Sequence, residues 1–251
     1  PNAIPYVYGA FAFQECLDGR REPAGWRTSG SGDGWQVATA VVAPGDAPWT
    51  GFEPRGLKPM RETLMPSLPV VAAYNGKNSA TMADEKSLTR IWKEETLEPI
   101  TLLPTADAEG WLTLTPPAGG FIAVTFDVGW NAASYPRIEV RGADGGEVLD
   151  GAYGATMTKG SPKIFDAAYD RWIAPAGEGH WQSFLPRGYR YHTVKVRAGH
   201  AVKIRVGAVI THHDTGPVLG FECSDVGLTK AWLITDRTLR TSMQDAFLSL
   251  I

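Results

Sequence analysis

Hydrophobic and polar positions alternate through the second half of the chain. In GFIAVTFDVGW, the side chains of Ile122, Val124 and Phe126 fall on one face of a predicted strand. RIEVRGADGGEVLDGAYG predicts a hairpin, because Ile138 and Val140 alternate with charged residues and ADGG supplies the turn. YRYHTVKVRAGHAVKIRVGAVI adds two or three further strands. Short strands separated by turn signals are typical of an antiparallel β-sandwich or jelly roll.

The N-terminal part of the chain gives weaker signals. Gly, Pro and Trp interrupt short apolar runs, and QVATAVVAP (36–44) is one candidate strand. TSGSGDGW has closely spaced glycines but no strand-then-helix context, so a phosphate-binding loop is rejected. We predict a β-rich accessory domain with a connector over 1–99, a jelly-roll β-sandwich over 100–218, and a linker with one helix over 219–251. The expected fold class is therefore all-β, with β-sandwich or jelly-roll domains followed by one C-terminal helix.

A convincing helix is predicted at the end of this sequence. Ser224 or Asp225 can cap it, and apolar residues then recur at roughly helical spacing at Leu228, Trp232, Leu239, Met243 and Phe247. A lone amphipathic helix is stabilised mainly by the surface that its apolar face covers. We therefore expect it to fold over a sheet, or to cover a neighbouring domain or a second copy of the chain.

Composition excludes several classes of partner. The 251 residues are 43% hydrophobic, which allows a large core, and the formal net charge is -3. Since no basic run stands out, neither nucleic acid nor an anionic membrane is an expected partner. No apolar stretch approaches the roughly 20 residues that span a bilayer. Cys16 and Cys223 are more consistent with free thiols than with a disulfide.

Four segments, taken in order, carry a resemblance to a known family. LGFECSDVGLTKAWLITDRTLRTSMQD (219–245) resembles the entry into the helical barrel of the α-L-rhamnosidases, which are six-hairpin glycosidases. FDVGWNAASYPRIEVRGADGGEVLDGAYG is similar to a strand pair of that family's β-sandwich, and DRWIAPAGEGHWQSFLPRGYRYHTVKV resembles a tryptophan-containing segment that follows it. PWTGFEPRGLKPMRET resembles an element of the preceding domain.

The resemblance implies a function without catalysis. In that family the general acid and the general base lie in the (α/α)6 barrel, so no catalytic residue carries over to this chain. We expect an accessory fragment of an α-L-rhamnosidase-like glycoside hydrolase that supports the barrel and binds rhamnose-containing glycans. A self-standing carbohydrate-binding module and a purely structural module are the alternatives. The expected protein partner is the barrel, or a second copy held through the C-terminal helix.

Other chemistry has little support in the sequence. The carboxylates of the predicted sandwich adjoin turn glycines or alternate with apolar residues, so we expect them to be solvated or to cap turns; they are Asp127, Glu139, Glu147, Asp150, Asp166 and Asp170. His212 and His213 point to opposite faces of an extended segment and do not readily share a metal. We expect no metal and no cofactor.

A carbohydrate is the ligand class that the sequence favours. Sugars are bound by aromatic faces against their C–H patches and by planar polar groups against their hydroxyls. Such side chains lie near predicted strand ends and loops at Trp130, Asn131, Tyr135, Tyr153, Trp172, Trp181 and Arg187. Trp130 and Asn131, in the loop DVGWNAASYP, form the strongest pair. Packing in the core is the alternative role, above all for Trp172 and Trp181.

Overall fold

The computed structural model describes residues 14–23, 36–51, 53–54, 56–79, 88, 91–92, 95–158, 161–163, 169–214, 216 and 220–244. These residues are mostly β, with one long α-helix at the C-terminal end of the described part. The predicted all-β fold class with a C-terminal helix is therefore confirmed. Its jelly-roll arrangement and its division into segments at residues 99 and 218 stay predictions.

The strands are short, apart from three long ones near the centre of the sheet. Their bounds are β1 (Cys16–Asp18), β2 (Arg61–Met65), β3 (Val70–Lys77), β4 (Leu97–Pro99), β5 (Leu112–Leu114), β6 (Gly120–Ala143), β7 (Val148–Gly154), β8 (Thr156–Thr158), β9 (Ser161–Lys163), β10 (Tyr169–Ile173), β11 (Gly177–Gln182), β12 (Arg187–Arg197) and β13 (Val202–His212). A 3-10 turn (Gly19–Arg21) follows β1, and α1 spans Val226–Ser242.

Strand β6 organises the sheet. Its first half pairs with β3 and β12, and its second half pairs with β11 and β13, all antiparallel. The main path of the sheet runs β1-β10-β7-β12-β6-β13-β2, and β1 is parallel to β10. Strands from both ends of the sequence thus meet in one sheet: β1 pairs with β10, β3 with β6, and β2 with β13.

Both faces of the sheet around β6 and β12 are buried. Ile122, Val124 and Phe126 lie in the main core, as the alternation in this segment predicts. The intervening Phe121 and Ala123 are buried in a smaller cluster on the opposite face. A third cluster contains Leu88, Ile91 and Trp92, with Ala152 and Tyr169 of the sheet. The chain between β3 and β4 therefore covers part of the sheet.

A wide bulge interrupts β6 at its midpoint. Tyr189 of β12 pairs with Ala132, but Tyr191 pairs with Asp127, so residues 128–131 of β6 stand opposite the single residue Arg190. Within the bulge, Gly129 has a φ of +96°, a conformation that glycine adopts without strain. Bulges of this kind redirect side chains away from the regular ladder.

Two predictions from the sequence are wrong. β6 and β7 do not form the predicted hairpin, because β12 lies between them and pairs with both. The strand predicted over 36–44 is also absent. Residues 36–44 form no strand, and every one of them is exposed. Their apolar composition favours a strand, but a strand forms only where a partner backbone accepts its hydrogen bonds.

Helix α1 begins where the sequence predicts a cap. The Asp225 carboxylate accepts the backbone N–H groups of Gly227 and Leu228 at 2.7 and 3.2 Å. None of the residues of α1 is buried, and the apolar Ile234 is 67% exposed. The predicted helical residue Phe247 lies outside the described part of the chain.

Candidate functional site

The β6 bulge and the two residues of β12 beside it form a partly exposed surface, which we call the bulge surface: Asp127, Trp130, Asn131, Arg190 and Tyr191. Arg190 donates from Nε and Nη2 to the two carboxylate oxygens of Asp127, each at 2.9 Å. Burial raises the pKa of Asp127, but the hydrogen bonds from Arg190 and from the Gly129 N–H outweigh it, so the net pKa is lowered. The Asp127 carboxylate is therefore a fixed negative charge at neutral pH.

The aromatic side chains of this surface lie beside cations. The Arg190 guanidinium carbon is 5.0 Å from the centroid of the Tyr191 ring. Trp130 is half-buried, and the guanidinium of Arg237 lies 5.1 Å from its ring centroid. Together these groups supply a planar ion pair next to aromatic rings, which is the combination that suits a sugar.

The last turns of α1 rest on the same part of the sheet. Thr241 donates from its hydroxyl to the backbone oxygen of Asn131 at 3.3 Å. The side-chain amide of Gln244 donates to the backbone oxygen of Thr211 at 2.9 Å. The backbone N–H of His213 donates to the Met243 oxygen at 2.7 Å. These contacts attach the C-terminal end of the helix to the bulge surface and to β13.

The structure separates the predicted sugar-binding residues into two sets. Trp130, Asn131 and Tyr135 are half-buried on β6. The other predicted residues are buried: Tyr153 and Trp181 are each 1% exposed and Arg187 is 4% exposed, while Trp172 packs in the main core. A sugar does not reach the buried set in this conformation, so a sugar site on β6 depends on the first three residues.

Arg190 and Tyr191 were missed by the sequence analysis. Both stand in the strand pattern YRYHTVKV, where nothing marks them as different from other strand residues. The Asp127 side chain reaches Arg190 at the edge of the bulge, and a register shift of this kind is visible only once β6 and β12 are paired. Sequence analysis did consider Asp127, but as a solvated or turn-capping carboxylate.

Two carboxylates that were expected to be solvated are instead buried in ion pairs. Asp150 receives hydrogen bonds from Arg171 at 2.6 and 2.8 Å and from Arg197 at 2.6 Å. Burial raises its pKa, but the two guanidinium groups outweigh burial and leave the net pKa lowered. Asp170 accepts the Arg187 Nη2–H at 2.9 Å. The prediction of solvated carboxylates is wrong for Asp150 and Asp170, because arginines from other strands of the sheet neutralise them in the interior.

The remaining carboxylates of that set differ in their surroundings. Glu139 is half-buried and pairs with Arg205 at 2.6 Å and with Arg137 at 2.9 Å. Glu147 caps the β6–β7 turn by accepting the backbone N–H of Asp144 at 2.6 Å and that of Gly145 at 3.0 Å. Asp166 lies outside the described residues.

Glu15 and Asp170 form an acidic pair around Arg187. Burial raises the pKa of Glu15, and the nearby Asp170 charge raises it further. Glu15 also accepts the backbone N–H groups of Phe184 at 2.9 Å and Leu185 at 3.2 Å. Glycoside hydrolysis needs an acid that faces a sugar and a second carboxyl that reaches a water or the anomeric carbon. Because this pair is buried and bonded to its own backbone and to Arg187, it is not arranged for that reaction.

A buried lysine fastens the chain between β3 and β4 to the sheet. Lys195 donates to Glu95 at 2.7 Å, and its Nζ lies 3.9 Å from the centroid of Trp92. Burial lowers the pKa of Lys195 to about 8 despite the Glu95 charge. Glu95 also accepts from Arg197 at 2.7 and 2.8 Å. This network has a structural role, since it holds a covering segment in place.

Two further observations concern other classes of function. Among the described residues, Asp144, Glu147 and His200 are grouped closely enough to hold a metal ion, with one donor atom of each within 4.8 Å of the others. No helix in the described part of the chain has the length and apolar character needed to cross a bilayer.

Comparison with known proteins finds similarity in structure. No protein-family model and no curated protein sequence matches the chain. A GH78 family rhamnosidase of Bacillus sp. GL1 is 23% identical with a TM-score of 0.53, and the match covers 61% of this chain and 17% of the rhamnosidase. A rhamnosidase from Klebsiella oxytoca with rhamnose bound is 15% identical with a TM-score of 0.49, covering 75% of this chain and 36% of that one.

An α-L-rhamnosidase from Aspergillus terreus is also similar, at 17% identity and a TM-score of 0.38, with 62% of this chain and 21% of that one covered. At these sequence identities the comparison bears on the fold alone. The match to the Bacillus enzyme, which has a TM-score of 0.53, supports a shared fold. The solved structures similar to this chain thus include rhamnosidases, and the chain spans between 17% and 36% of the length of those compared here.

Proposed function

We propose that this chain is a non-catalytic accessory module of an α-L-rhamnosidase-like glycoside hydrolase and that it supports a neighbouring catalytic domain. The observation that carries the proposal is the shared fold with the Bacillus rhamnosidase, matched over 17% of that enzyme's length. An accessory module explains why Asp127, Glu139, Asp150 and Asp170 pair with arginines and Glu147 caps a turn, rather than face a cleft.

The exposed face of α1 supports a role in contacting another domain. Its apolar residues Leu228, Leu233, Ile234 and Leu239 are each at least half exposed. An exposed apolar surface of this kind marks an interaction site in a soluble protein. The hydrogen bonds that attach the helix to the sheet in the described part of the chain come from its last turns, and its exposed apolar residues are available to a neighbour.

A second exposed apolar segment precedes β2. Residues 36–51 are exposed throughout and include Val37, which is 96% exposed, and Trp49. This segment leads into β2, where Arg61 pairs with His212 at the end of β13. Lys58 also lies 3.6 Å from Asp214, at the start of the connection to α1. Because β2, which follows the segment, and the connection to α1 meet at one sheet edge, one neighbouring domain can contact both.

We also propose that the bulge surface binds a rhamnose-containing glycan, which would make the chain a carbohydrate-binding module as well. The half-buried Trp130 and the Asp127–Arg190 pair favour this second function. Tyr135, on the same strand, completes the set that the sequence predicts for this region.

Calorimetry and an activity assay test the two proposals separately. The purified chain should release no nitrophenol from a nitrophenyl α-L-rhamnoside, and hydrolysis at an enzymatic rate would refute the accessory role. L-Rhamnose and rhamnose-containing oligosaccharides should bind saturably, and Trp130→Ala should weaken that binding. Trp49→Ala is the matched control, because Trp49 is exposed but distant in sequence from the bulge. Equal binding by Trp130→Ala and the unmodified chain would refute the glycan site alone.

The native gene gives an independent test of the accessory role. We expect the coding sequence to continue into helical hairpins after residue 251. A stop codon at that position would contradict the accessory role and favour the self-standing binding module.

A further inference from the structure

Two turns that are distant in sequence meet around His200. The turn between β6 and β7 carries Asp144 and Glu147, and the turn between β12 and β13 carries His200. His200 Nδ1 lies 3.3 Å from Asp144 Oδ2, and His200 Nε2 lies 3.5 Å from Glu147 Oε1. The same Nε2 is 3.1 Å from the backbone oxygen of Gly142. We call Asp144, Glu147 and His200 the turn cluster.

The contact with Gly142 determines which ring nitrogen carries a proton. A carbonyl oxygen only accepts, so a hydrogen bond between it and His200 requires a proton on Nε2. In the neutral ring, Nδ1 then presents a lone pair towards the Asp144 carboxylate oxygen. Two acceptors at 3.3 Å repel each other unless a cation lies between or beside them. The geometry therefore calls for a positive charge at this point, which either a bound metal ion or a proton on Nδ1 supplies.

The Nε2 contact is also the support that metal-binding histidines use. Such a histidine commonly donates its second N–H to a backbone carbonyl or a carboxylate, which orients the ring and selects the tautomer. Here the backbone carbonyl of Gly142 provides this support. His200 is one-third exposed, so an ion can reach Nδ1 from solvent.

Glu147 is a preorganised anion in the cluster. Its side chain is 4% exposed, and its two oxygens accept the backbone N–H groups of Asp144 and Gly145. Asp144 is 87% exposed and free of the core, so its carboxylate can adjust to an ion. Arg20 approaches the turn near Gly146, but its guanidinium is paired with Asp18 at 2.8 Å. The cluster therefore offers two negative charges to a cation.

We propose that Asp144, Glu147 and His200 bind a divalent transition-metal ion, for which Zn²⁺ is the probe. Zn²⁺ bonds to histidine nitrogen and carboxylate oxygen at about 2.0–2.2 Å in a tetrahedral arrangement, which places neighbouring ligands roughly 3.3–3.6 Å apart. The 3.3 Å separation between His200 Nδ1 and Asp144 Oδ2 matches that spacing. One donor atom of each of the three residues lies within 4.8 Å of the others, so Glu147 would join the same ion only after the side chains move closer together. A nitrogen ligand favours zinc over calcium or magnesium, which prefer oxygen ligands. Water would fill the fourth position.

Bound metal would join the two turns and so stabilise this end of the sheet. The test uses the whole chain, with any affinity tag removed, after treatment with EDTA and dialysis. Calorimetric titration with ZnCl₂ should show one equivalent bound, and Zn²⁺ should raise the thermal unfolding midpoint while MgCl₂ should not. Titration with CoCl₂ should produce the visible absorption of a tetrahedral Co²⁺ site, a readout that depends on ligand geometry.

Matched variants identify the ligands. His200→Gln keeps an N–H donor for Gly142 but removes the ring nitrogen. We expect this variant to weaken Zn²⁺ binding by at least about tenfold, because even the loss of a residue that only supports a metal ligand weakens metal binding that much. Asp144→Asn should also weaken binding. His180→Gln, at an exposed position of β11, should bind as the unmodified chain does.

Either of two results would overturn the proposal. One is an unmodified chain that takes up no Zn²⁺ and shows no shift in its unfolding midpoint, which would leave a protonated His200 as the cation. The other is equal Zn²⁺ binding by His200→Gln and the unmodified chain, which would mean an adventitious ion only. Circular dichroism of each variant establishes that it is folded before its binding is compared.

Discussion

His192 should make the stability of the protein sensitive to acid. It lies on β12 with no exposed surface, and its ring centroid is 4.8 Å from that of Tyr153 and 5.8 Å from that of Tyr189. Neither ring nitrogen has a hydrogen-bond partner among the described residues. Burial lowers the pKa of His192 from 6.5 to about 3, because the charged imidazolium loses its hydration there.

The magnitude follows from proton linkage. The folded pKa lies below that of the unfolded chain, so protons bind preferentially to the unfolded state as the pH falls. Above pH 6.5 His192 is mainly neutral in both states and the free energy of unfolding is at its full value. As the pH falls from 6.5 towards 3, the unfolded chain binds the proton and the free energy of unfolding decreases. At about 1.4 kcal/mol per unit, the loss is roughly 2 kcal/mol at pH 5 and roughly 4 kcal/mol at pH 3.

Comparison of the unmodified chain with His192→Phe isolates this effect. The free energy of unfolding is measured by urea denaturation at pH 7 and at pH 5 for both proteins. Other groups contribute almost equally to both, so the decrease between the two pH values should be smaller in the variant by about 2 kcal/mol. His180→Gln, at an exposed position, is the control. If His192→Phe loses as much stability between pH 7 and pH 5 as the unmodified chain does, the reasoning fails.

Three further predictions concern stability. Asp150→Asn leaves two buried guanidinium groups without their shared carboxylate and should lower the free energy of unfolding by about 3–5 kcal/mol, measured by urea denaturation at pH 7. Asp46→Asn on the surface should leave the stability unchanged. A loss below about 1 kcal/mol for Asp150→Asn would contradict the ion-pair account. Gly76→Ala pushes a methyl group into the Phe121 ring and should cost about 1–3 kcal/mol, and an unchanged denaturation midpoint would mean that the ring moves freely. Asp225→Ala removes the helix cap, should cost about 1 kcal/mol, and should lower ellipticity at 222 nm; identical spectra would count against the cap.

The local patterns of the sequence were sufficient to predict several elements. The alternation of Ile122, Val124 and Phe126 predicts a strand with these residues in the core, and they lie there. The spacing of apolar residues after Asp225 predicts a helix, and α1 starts at Val226 with Asp225 as its cap. These predictions succeed because backbone conformation and capping depend on neighbours within a few positions.

Local patterns do not determine which strands pair or which polar groups become buried. Residues 36–44 have a strand-like composition, yet they form no strand and lie exposed. Asp150 has the surroundings of a solvated residue in the sequence, but arginines from β10 and β12 enclose it. In each case the outcome depends on residues distant in the chain.

Some residues of the candidate sites are predictable from the local sequence, and others only from the pairing of the strands. Sequence analysis selected Trp130 and Asn131 because an aromatic residue and an amide in a loop suit a sugar. It did not find Arg190, because only the paired register of β6 and β12 brings this residue to Asp127. It did not find the turn cluster either, since His200 reaches Glu147 only after the β6–β7 turn and the β12–β13 turn meet. Conformation over a few residues is encoded locally, whereas electrostatic neighbours are set by the pairing of the whole sheet.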